Sequence, residues 1–310
     1  MPKFYLREFS SRDEVWDKHR HDADLVESIY EASEHVKHSE RISRCAKMLF
    51  FGSRLDVQGR KVIKLKSASF CKVRNCPVCQ WRRSLMWKLR LFKALSLIEQ
   101  DYPKARWVLL TLTVRNCPIT SLRDTLTLMN SAWKRLSELK KFPAIGFFKS
   151  LEVTRGKDGS AHPHFHVLML VNPSYFQGTQ YISHKTWIAM WRKSLRVDYD
   201  PNVDVRVVKA DKDDVRRFEI ISEVAKYTVK PDDLIADSEW LLEYTKQVHK
   251  TRAIAVGGVL KEYLSDADET NEELIIGESG DPIEELIEPY YIANWDKPDS
   301  KYTIKELDDY

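Results

Sequence analysis

The chain has 310 residues, 43% of them hydrophobic, which is enough to bury a sizeable core as one large domain or two smaller ones. No stretch approaches the ~20 apolar residues of a bilayer span and no apolar run follows a basic start, so a cytoplasmic protein without a membrane partner is expected, and its five cysteines need a reading other than disulfides. The net charge of +4 hides an asymmetry: residues 262–310 hold 16 of the 46 acids but 3 of the 50 Lys and Arg, leaving residues 1–261 at +17. A body this basic suits a polyanion, with the acidic tail at 265–310 solvating the protein or shielding the basic surface; the plainer alternative is an ordinary enzyme with a solubilising tail.

In chain order, residues 1–40 contain one or two charged helices with a weak apolar stripe. KMLFFGSRLDVQGRKVIKLKSASF alternates around a turn near Asp56 to Arg60 and predicts a hairpin. Residues 81–100 carry apolar side chains at helical spacing. A strand follows at 106–114, then a helix at 121–139, strands at 144–154 and 162–171, a helix at 185–195 and a strand at 203–209. A helix over 213–229 is stopped by Pro231. One adjacent strand pair among helices predicts an α+β fold with a mixed, largely antiparallel sheet and flanking helices.

HPHFHVLMLV, residues 162–171, places three histidines at every second position, on one face of a strand and about 6.6 Å apart along it. Two neighbours can share one ion, whereas His162 and His166, about 13 Å apart, cannot. His164 and His166 are therefore the expected metal pair, with His162 at the strand entrance meeting substrate or solvent; satisfied core histidines are the bland alternative. Glu152, in SLEVT on the preceding strand, is as far before Asp158 as His164 is after it. An antiparallel fold about Asp158 with an odd loop sets the two opposite on one face, whereas a two-residue Asp158-Gly159 turn turns Glu152 away. Two imidazoles and a carboxylate suit a divalent ion such as Mg²⁺ or Mn²⁺ that polarises a phosphate.

ISEVAKYTVKP puts Glu223, Tyr227 and, nearly in line, Lys230 on one helical face. A carboxylate one turn from a phenol is a candidate base and nucleophile pair, against the commonplace alternative of a surface tyrosine among salt bridges.

FCKVRNCPVCQWRR supplies Cys71, Cys76 and Cys79, a knuckle that reads as structural zinc in a reducing compartment. Cys45 and Cys71 lie equally far on either side of Gln58, so the hairpin returns them to one open end, which favours Cys45 over Cys117 as fourth ligand.

Taken in order, FCKVRNCPVCQWRR, LTLT, LEVTR, HPHFHVLML, EVAKYTVKP and HKTRAIAVGGVLKEY resemble the rolling-circle replication initiators of small bacterial plasmids, the Rep_1 group of the HUH endonucleases, over roughly residues 40–264. The resemblance implies a ferredoxin- or RRM-like nicking domain at 101–264 with LTLT on a core strand, beside a zinc-binding hairpin and helix module at 41–100. It implies that His164 and His166 bind the catalytic metal, that Tyr227 attacks DNA to form a 5′-phosphotyrosyl link, and that Glu223 activates water for the second cut. Lys230 would pair with the phosphate or the tyrosine oxygen, and Arg82, Arg83, Lys88 and Arg90 would contact DNA phosphates. Partners would be the double-strand origin, its single-stranded hairpin loop, and host helicase and replication proteins. A conjugative relaxase or single-strand transposase shares this chemistry; a non-catalytic zinc-containing DNA-binding regulator is the alternative from another class.

Overall fold

The computed structural model describes residues 3–55, 58–208, 221–225, 229–264, 269–275 and 287–307. The chain divides into two compact units, one of residues 1–89, 234–238 and 268–310, the other of residues 90–233 and 239–267.

The first unit begins with helices α1 (Leu6–Phe9), α2 (Val15–Glu31) and α3 (Val36–Ile42), followed by strands β1 (Met48–Leu55) and β2 (Lys61–Ala68). These strands pair antiparallel from Leu49↔Ala68 to Leu55↔Lys61, the hairpin expected from their alternation. Helix α4 (Pro77–Asp101) follows, and the boundary between the units falls within it. Later in the chain come the short helix α9 (Asn271–Ile275) and strands β8 (Ile287–Asp296) and β9 (Lys301–Leu307). β8 pairs with β1, giving a four-stranded sheet in the order β2-β1-β8-β9.

One face of this sheet buries Leu49, Phe51, Tyr291, Ala293, Tyr302 and Ile304. α2 packs on it: Asp17 Oδ1 accepts from the Tyr302 backbone N–H at 2.8 Å, and Asp24 Oδ2 accepts from the Trp295 indole at 2.8 Å. The acidic region is therefore not a solvated tail over 287–307; Tyr291, Ala293, Tyr302 and Ile304 point into a core there. Acids cluster before those strands, while β8 carries the apolar run Tyr290 to Ala293 and β9 alternates apolar and polar.

The second unit contains β3 (Arg106–Thr113), α5 (Leu122–Ser137), β4 (Ala144–Arg155), β5 (Ala161–Val171), α6 (His184–Leu195) and β6 (Val203–Val207). Short helices α7 (Pro231–Ile235) and α8 (Ser238–Gln247) and strand β7 (Ile254–Gly258) follow. The sheet order is β6-β3-β5-β4-β7, and every pairing among the described strands is antiparallel. Its first six elements run βαββαβ with the first strand between the fourth and third, the ferredoxin-like arrangement. The α+β expectation holds, and the sheet is antiparallel throughout where a mixed one was expected.

α5 buries Leu122, Leu126, Met129, Trp133 and Leu136, one stripe at helical spacing, against one face of this sheet. Trp133 meets Phe147 of β4 edge-on at 4.9 Å, and α6 adds Trp191, whose indole donates to the Thr113 carbonyl at 2.8 Å. Phe147, Lys149, Phe165 and Val167 point to this helical side, so the histidines of β5 point to the other.

Candidate metal centres and catalytic face

The cysteine knuckle is built by local geometry. Ala46, at φ 51°, donates its N–H to the Ser69 carbonyl at 2.7 Å and closes the base of the β1–β2 hairpin, which sets Cys45 beside Cys71. Pro77 opens α4, where a missing N–H costs nothing, and so places Cys76 just before the helix and Cys79 in its first turn. The sulfurs of Cys45, Cys71, Cys76 and Cys79 all lie within 4.8 Å of one another. Three of the separations are Cys71–Cys79 3.5 Å, Cys45–Cys79 3.6 Å and Cys45–Cys76 3.7 Å. Zn–S bonds of about 2.3 Å in a tetrahedron require sulfurs about 3.8 Å apart, so the cluster has the size of a zinc site and can bind such an ion.

Backbone N–H groups of Cys71 and Lys72 point at the Cys45 and Cys79 sulfurs at 3.4 and 3.3 Å, which favours thiolates. Hydrogen bonds from Cys71, Cys76 and Cys79, and then burial, hold the Cys45 thiol well above its ordinary range when no cation offsets the charge. Cys117 lies elsewhere, its backbone bridged to Ala161, as the hairpin geometry requires. Among the described residues this is the one group of three or more His, Cys, Asp or Glu side chains gathered so closely.

The second centre lies on the sheet face opposite α5 and α6. The β4–β5 loop spans Gly156 to Ser160, an odd number of residues. Gly159 takes φ +79°, and Asp158 Oδ1 accepts from the Ser160 N–H at 3.1 Å and from its hydroxyl at 2.6 Å. That loop sets Glu152 opposite His164 and Thr154 opposite His162, and on the other side of β5 Thr111 lies opposite His166 and Thr113 opposite His164. All share one face.

The close contact formed by Glu152 is diagonal. Its Oε2 lies 2.8 Å from His166 Nε2, with both side chains nearly buried. On the far side of the same ring, His166 Nδ1 lies 3.8 Å from Glu223 Oε1 and 3.4 Å from Thr111 Oγ1. His164 Nε2 lies 3.4 Å from Thr154 Oγ1, and its ring is 5.9 Å from that of His166 and 4.6 Å from that of His162. Burial lowers the pKa of His162, which favours the neutral form at the strand entrance. The face thus brings together Glu152, His164, His166 and Glu223, with His162 at its edge. Two imidazoles and a carboxylate match the donor preferences of a divalent cation, and such an ion would exchange the Glu152–His166 hydrogen bond for coordination.

Tyr227 lies outside the described residues. Lys230 is exposed, just before α7. Thr111 and Thr154 were not singled out from sequence, although their position opposite the histidines follows once LTLT and LEVT are set in register.

Two arginines expected on DNA are spent inside the first unit. Arg82 is 3% exposed; its Nε and Nη2 donate to the carbonyls of Leu274 and Ile275 at 2.6 and 2.7 Å, and its guanidinium lies over Trp16 and Trp81. Arg83 forms a two-pronged pair with Glu269, at 2.5 and 3.0 Å, and donates to the Lys72 carbonyl. Burial at the start of α4 makes Arg82 an internal anchor, and the partly exposed Arg83 is occupied by Glu269 and a backbone carbonyl, which is the correction to their assignment as phosphate contacts. Lys88 and Arg90 are half-buried, and burial lowers the Lys88 pKa.

On the helical side of the second sheet, Lys149 is 6% exposed. Its Nζ donates to Asn130 Oδ1 at 3.0 Å and sits 3.6 Å from the Phe165 ring centroid, and burial brings its pKa down to about 7.

No described helix is long and apolar enough to cross a membrane. No solved structure matches the chain. Among curated proteins, a "Protein rep" of Streptococcus pneumoniae serotype 2 is 33% identical over 274 residues, covering 86% of this chain and 84% of its own. A "Protein rep" of Bacillus amyloliquefaciens is 35% identical over 277 residues, 80% of each chain. A "Replication protein" of Staphylococcus aureus is 34% identical over 229 residues, 69% of this chain and 97% of its own. The profile of the family Rep_1, described as "Replication protein", matches residues 62–303. A match over that much of the chain, with relatives aligned along most of both lengths, makes this protein a member of the Rep_1 replication protein family.

Proposed function

We propose that the protein is a plasmid rolling-circle replication initiator, acting in the cytoplasm, that nicks one strand of its double-strand origin at an exposed single-stranded hairpin loop. The observation that carries this reading is the His166 ring, bracketed by Glu152 and Glu223 on the sheet face that α5 and α6 leave clear. A replication protein has no structural need for three imidazoles and a carboxylate on one strand pair with a second carboxylate brought against them, and phosphoryl transfer does.

In this reading the Tyr227 hydroxyl attacks the scissile phosphorus, an O–P bond forms, and the bond to the 3′ oxygen breaks. The products are a 5′-phosphotyrosyl link and a free 3′-OH that primes synthesis. His164, His166 and Glu152 would hold Mn²⁺ or Mg²⁺, which supplies positive charge against the phosphate oxygens. Lys230 pairs with the phosphate or the tyrosine oxygen. Glu223, one helical turn from Tyr227, takes a proton from the tyrosine hydroxyl or, once the tyrosine is consumed, from a water that makes the second cut. Its distance of 3.8 Å from His166 supports a place within reach of the same phosphate. The four-cysteine site would hold Zn²⁺ as a structural ion, because four thiolates leave no open position. Lys88, Arg90 and His162 remain the candidates for DNA contact, and a host helicase would unwind the duplex ahead of the primer.

The test is covalent capture. Protein incubated with Mn²⁺ and a single-stranded oligonucleotide carrying the candidate origin should give a protein–DNA adduct on a denaturing gel, and Tyr227→Phe should bind the oligonucleotide yet give none. An adduct of normal yield from Tyr227→Phe would move the nucleophile elsewhere. No adduct from the wild type on any candidate origin would favour the non-catalytic regulator.

A further inference from the structure

We infer that the face of the four-stranded sheet turned away from α2 in the first unit is a second nucleic-acid site, one that holds single-stranded DNA; the inference rests on the reading of the chain as a DNA-processing protein. The sheet is two-faced by alternation. One side packs against α2, and on the other the strands present Met48 and Phe50 from β1 and Tyr290 and Ile292 from β8. Met48 is 43% exposed and the other three are partly buried. A solvent-facing antiparallel sheet is ordinarily polar, so an apolar and aromatic floor on the two central strands calls for a partner.

The rims indicate its chemistry. The edge strands contribute exposed lysines, Lys66 from β2 and Lys305 from β9, the latter directly opposite Ile292. Lys66 Nζ sits 4.0 Å from the centre of the Tyr290 ring, so cation and aromatic lie within reach of one nucleotide. Asp296, at the end of the same face, is already held by Lys3 at 2.6 Å. Aromatic side chains that stack on bases, flanked by cations that meet phosphates, form the pattern of a sequence-tolerant single-strand platform.

Width separates single strand from duplex. Four strands span about 14 Å from β2 to β9, enough for one backbone to follow a rim while its unstacked bases lie on the floor. In a duplex the bases are paired and stacked within, so Phe50 and Tyr290 would have nothing to stack against. A second copy of the chain is a poor occupant, because it would set lysine rims against lysine rims.

The experiment uses the full-length, zinc-loaded chain and a fluorescein-labelled oligothymidylate of about 16 nucleotides, with a duplex of equal length as control. Two double variants separate the contributions: Phe50→Thr with Tyr290→Thr removes the aromatic floor while keeping strand-forming residues, and Lys66→Glu with Lys305→Glu reverses the rims. Each should weaken oligothymidylate binding about tenfold or more, the aromatic pair should leave duplex binding unchanged, and both should retain wild-type zinc content and the wild-type adduct yield on a short oligonucleotide spanning the nick. Unchanged oligothymidylate affinity in the aromatic variant, or equal losses for single strand and duplex, overturns the proposal. So does a shift from dimer to monomer in either variant, which would identify the face as a self-association surface. The anisotropy measurement needs no cleavage, so failure of the nicking reading would show as a missing adduct alone, and failure of this one as unaltered binding alone.

Discussion

The two candidate metal centres differ in how much of their geometry the backbone dictates. At the knuckle, a tight hairpin base, a proline-started helix and backbone N–H groups aimed at sulfur hold four thiol groups within 4.8 Å. On the candidate catalytic face, Glu152, His164 and His166 sit on two paired strands, and Glu152 makes a close contact with the diagonal His166. Like charges crowded at the knuckle resist folding without a cation, whereas the imidazoles and carboxylates satisfy one another without one. An ion held at each centre would therefore leave a different mark on the apoprotein: at the knuckle the fold would require it, and on the histidine face the fold would only be prepared for it.

The largest effect that could break this contrast is loss of the knuckle. Cys76→Ser should abolish the tightly held zinc, seen by elemental analysis of chelator-washed protein, and remove the cooperative unfolding of the first unit, since structural zinc supplies on the order of 10 kcal/mol. Cys117→Ser should change neither; zinc loss in that variant would redraw the ligand set.

His166→Ala should act the other way, losing adduct formation almost completely while zinc content and thermal midpoint stay near wild type. His164→Ala should match it, and His162→Ala should be milder. Joint loss of adduct and fold in His166→Ala would show that the histidines are structural.

Lys149 sharpens the comparison from the opposite side of the same sheet. Its folded pKa of about 7 lies below the ordinary lysine value of 10.5, so the unfolded chain binds the extra proton between them. Stability should then rise with pH from about 7 to 10.5, by up to about 1.4 kcal/mol per pH unit from this group, and be lowest below 7 where the full cost of a buried cation is felt. Lys149→Met should flatten that slope in urea titrations and be the more stable protein at pH 7. An unchanged slope would show that the amine reaches water.

The smallest effect belongs to Glu269. Glu269→Gln removes a partly exposed, two-pronged partner of Arg83 and should cost about 1 kcal/mol or less, with zinc content unchanged. Zinc loss on this substitution would mean that Arg83 must be held for the knuckle to close.

Much of the site was legible because strands and hairpins obey counting rules. Equal distances from Asp158 put Glu152 opposite His164, and equal distances from Gln58 put Cys45 beside Cys71. The diagonal choice of His166 by Glu152 was not legible, since it depends on rotamers within the shared face. Arg82 and Arg83 misled because a cation on a helix signals phosphate only if it is free to reach it, and Arg82 is covered by residues of α2 and α9, distant in sequence. The strands at 287–307 were hidden by averaging: the acids around them gave the region the composition of a tail, although YYIANW is an apolar, aromatic run within it.

The Tyr302 hydroxyl donates to the Ala46 carbonyl across 256 residues, and β8 pairs with β1 along its length. During synthesis, β1 leaves the ribosome long before β8 exists, so it must wait as a hydrophobic edge while the ferredoxin-like core, whose strands are close in sequence, is free to form. A chain cut short by a nonsense or frameshift mutation between Val171 and Ile287 would carry the histidines of β5 without a finished first unit. Such a product would be exposed to proteases at β1, which ties the survival of this replication protein to complete translation of its message.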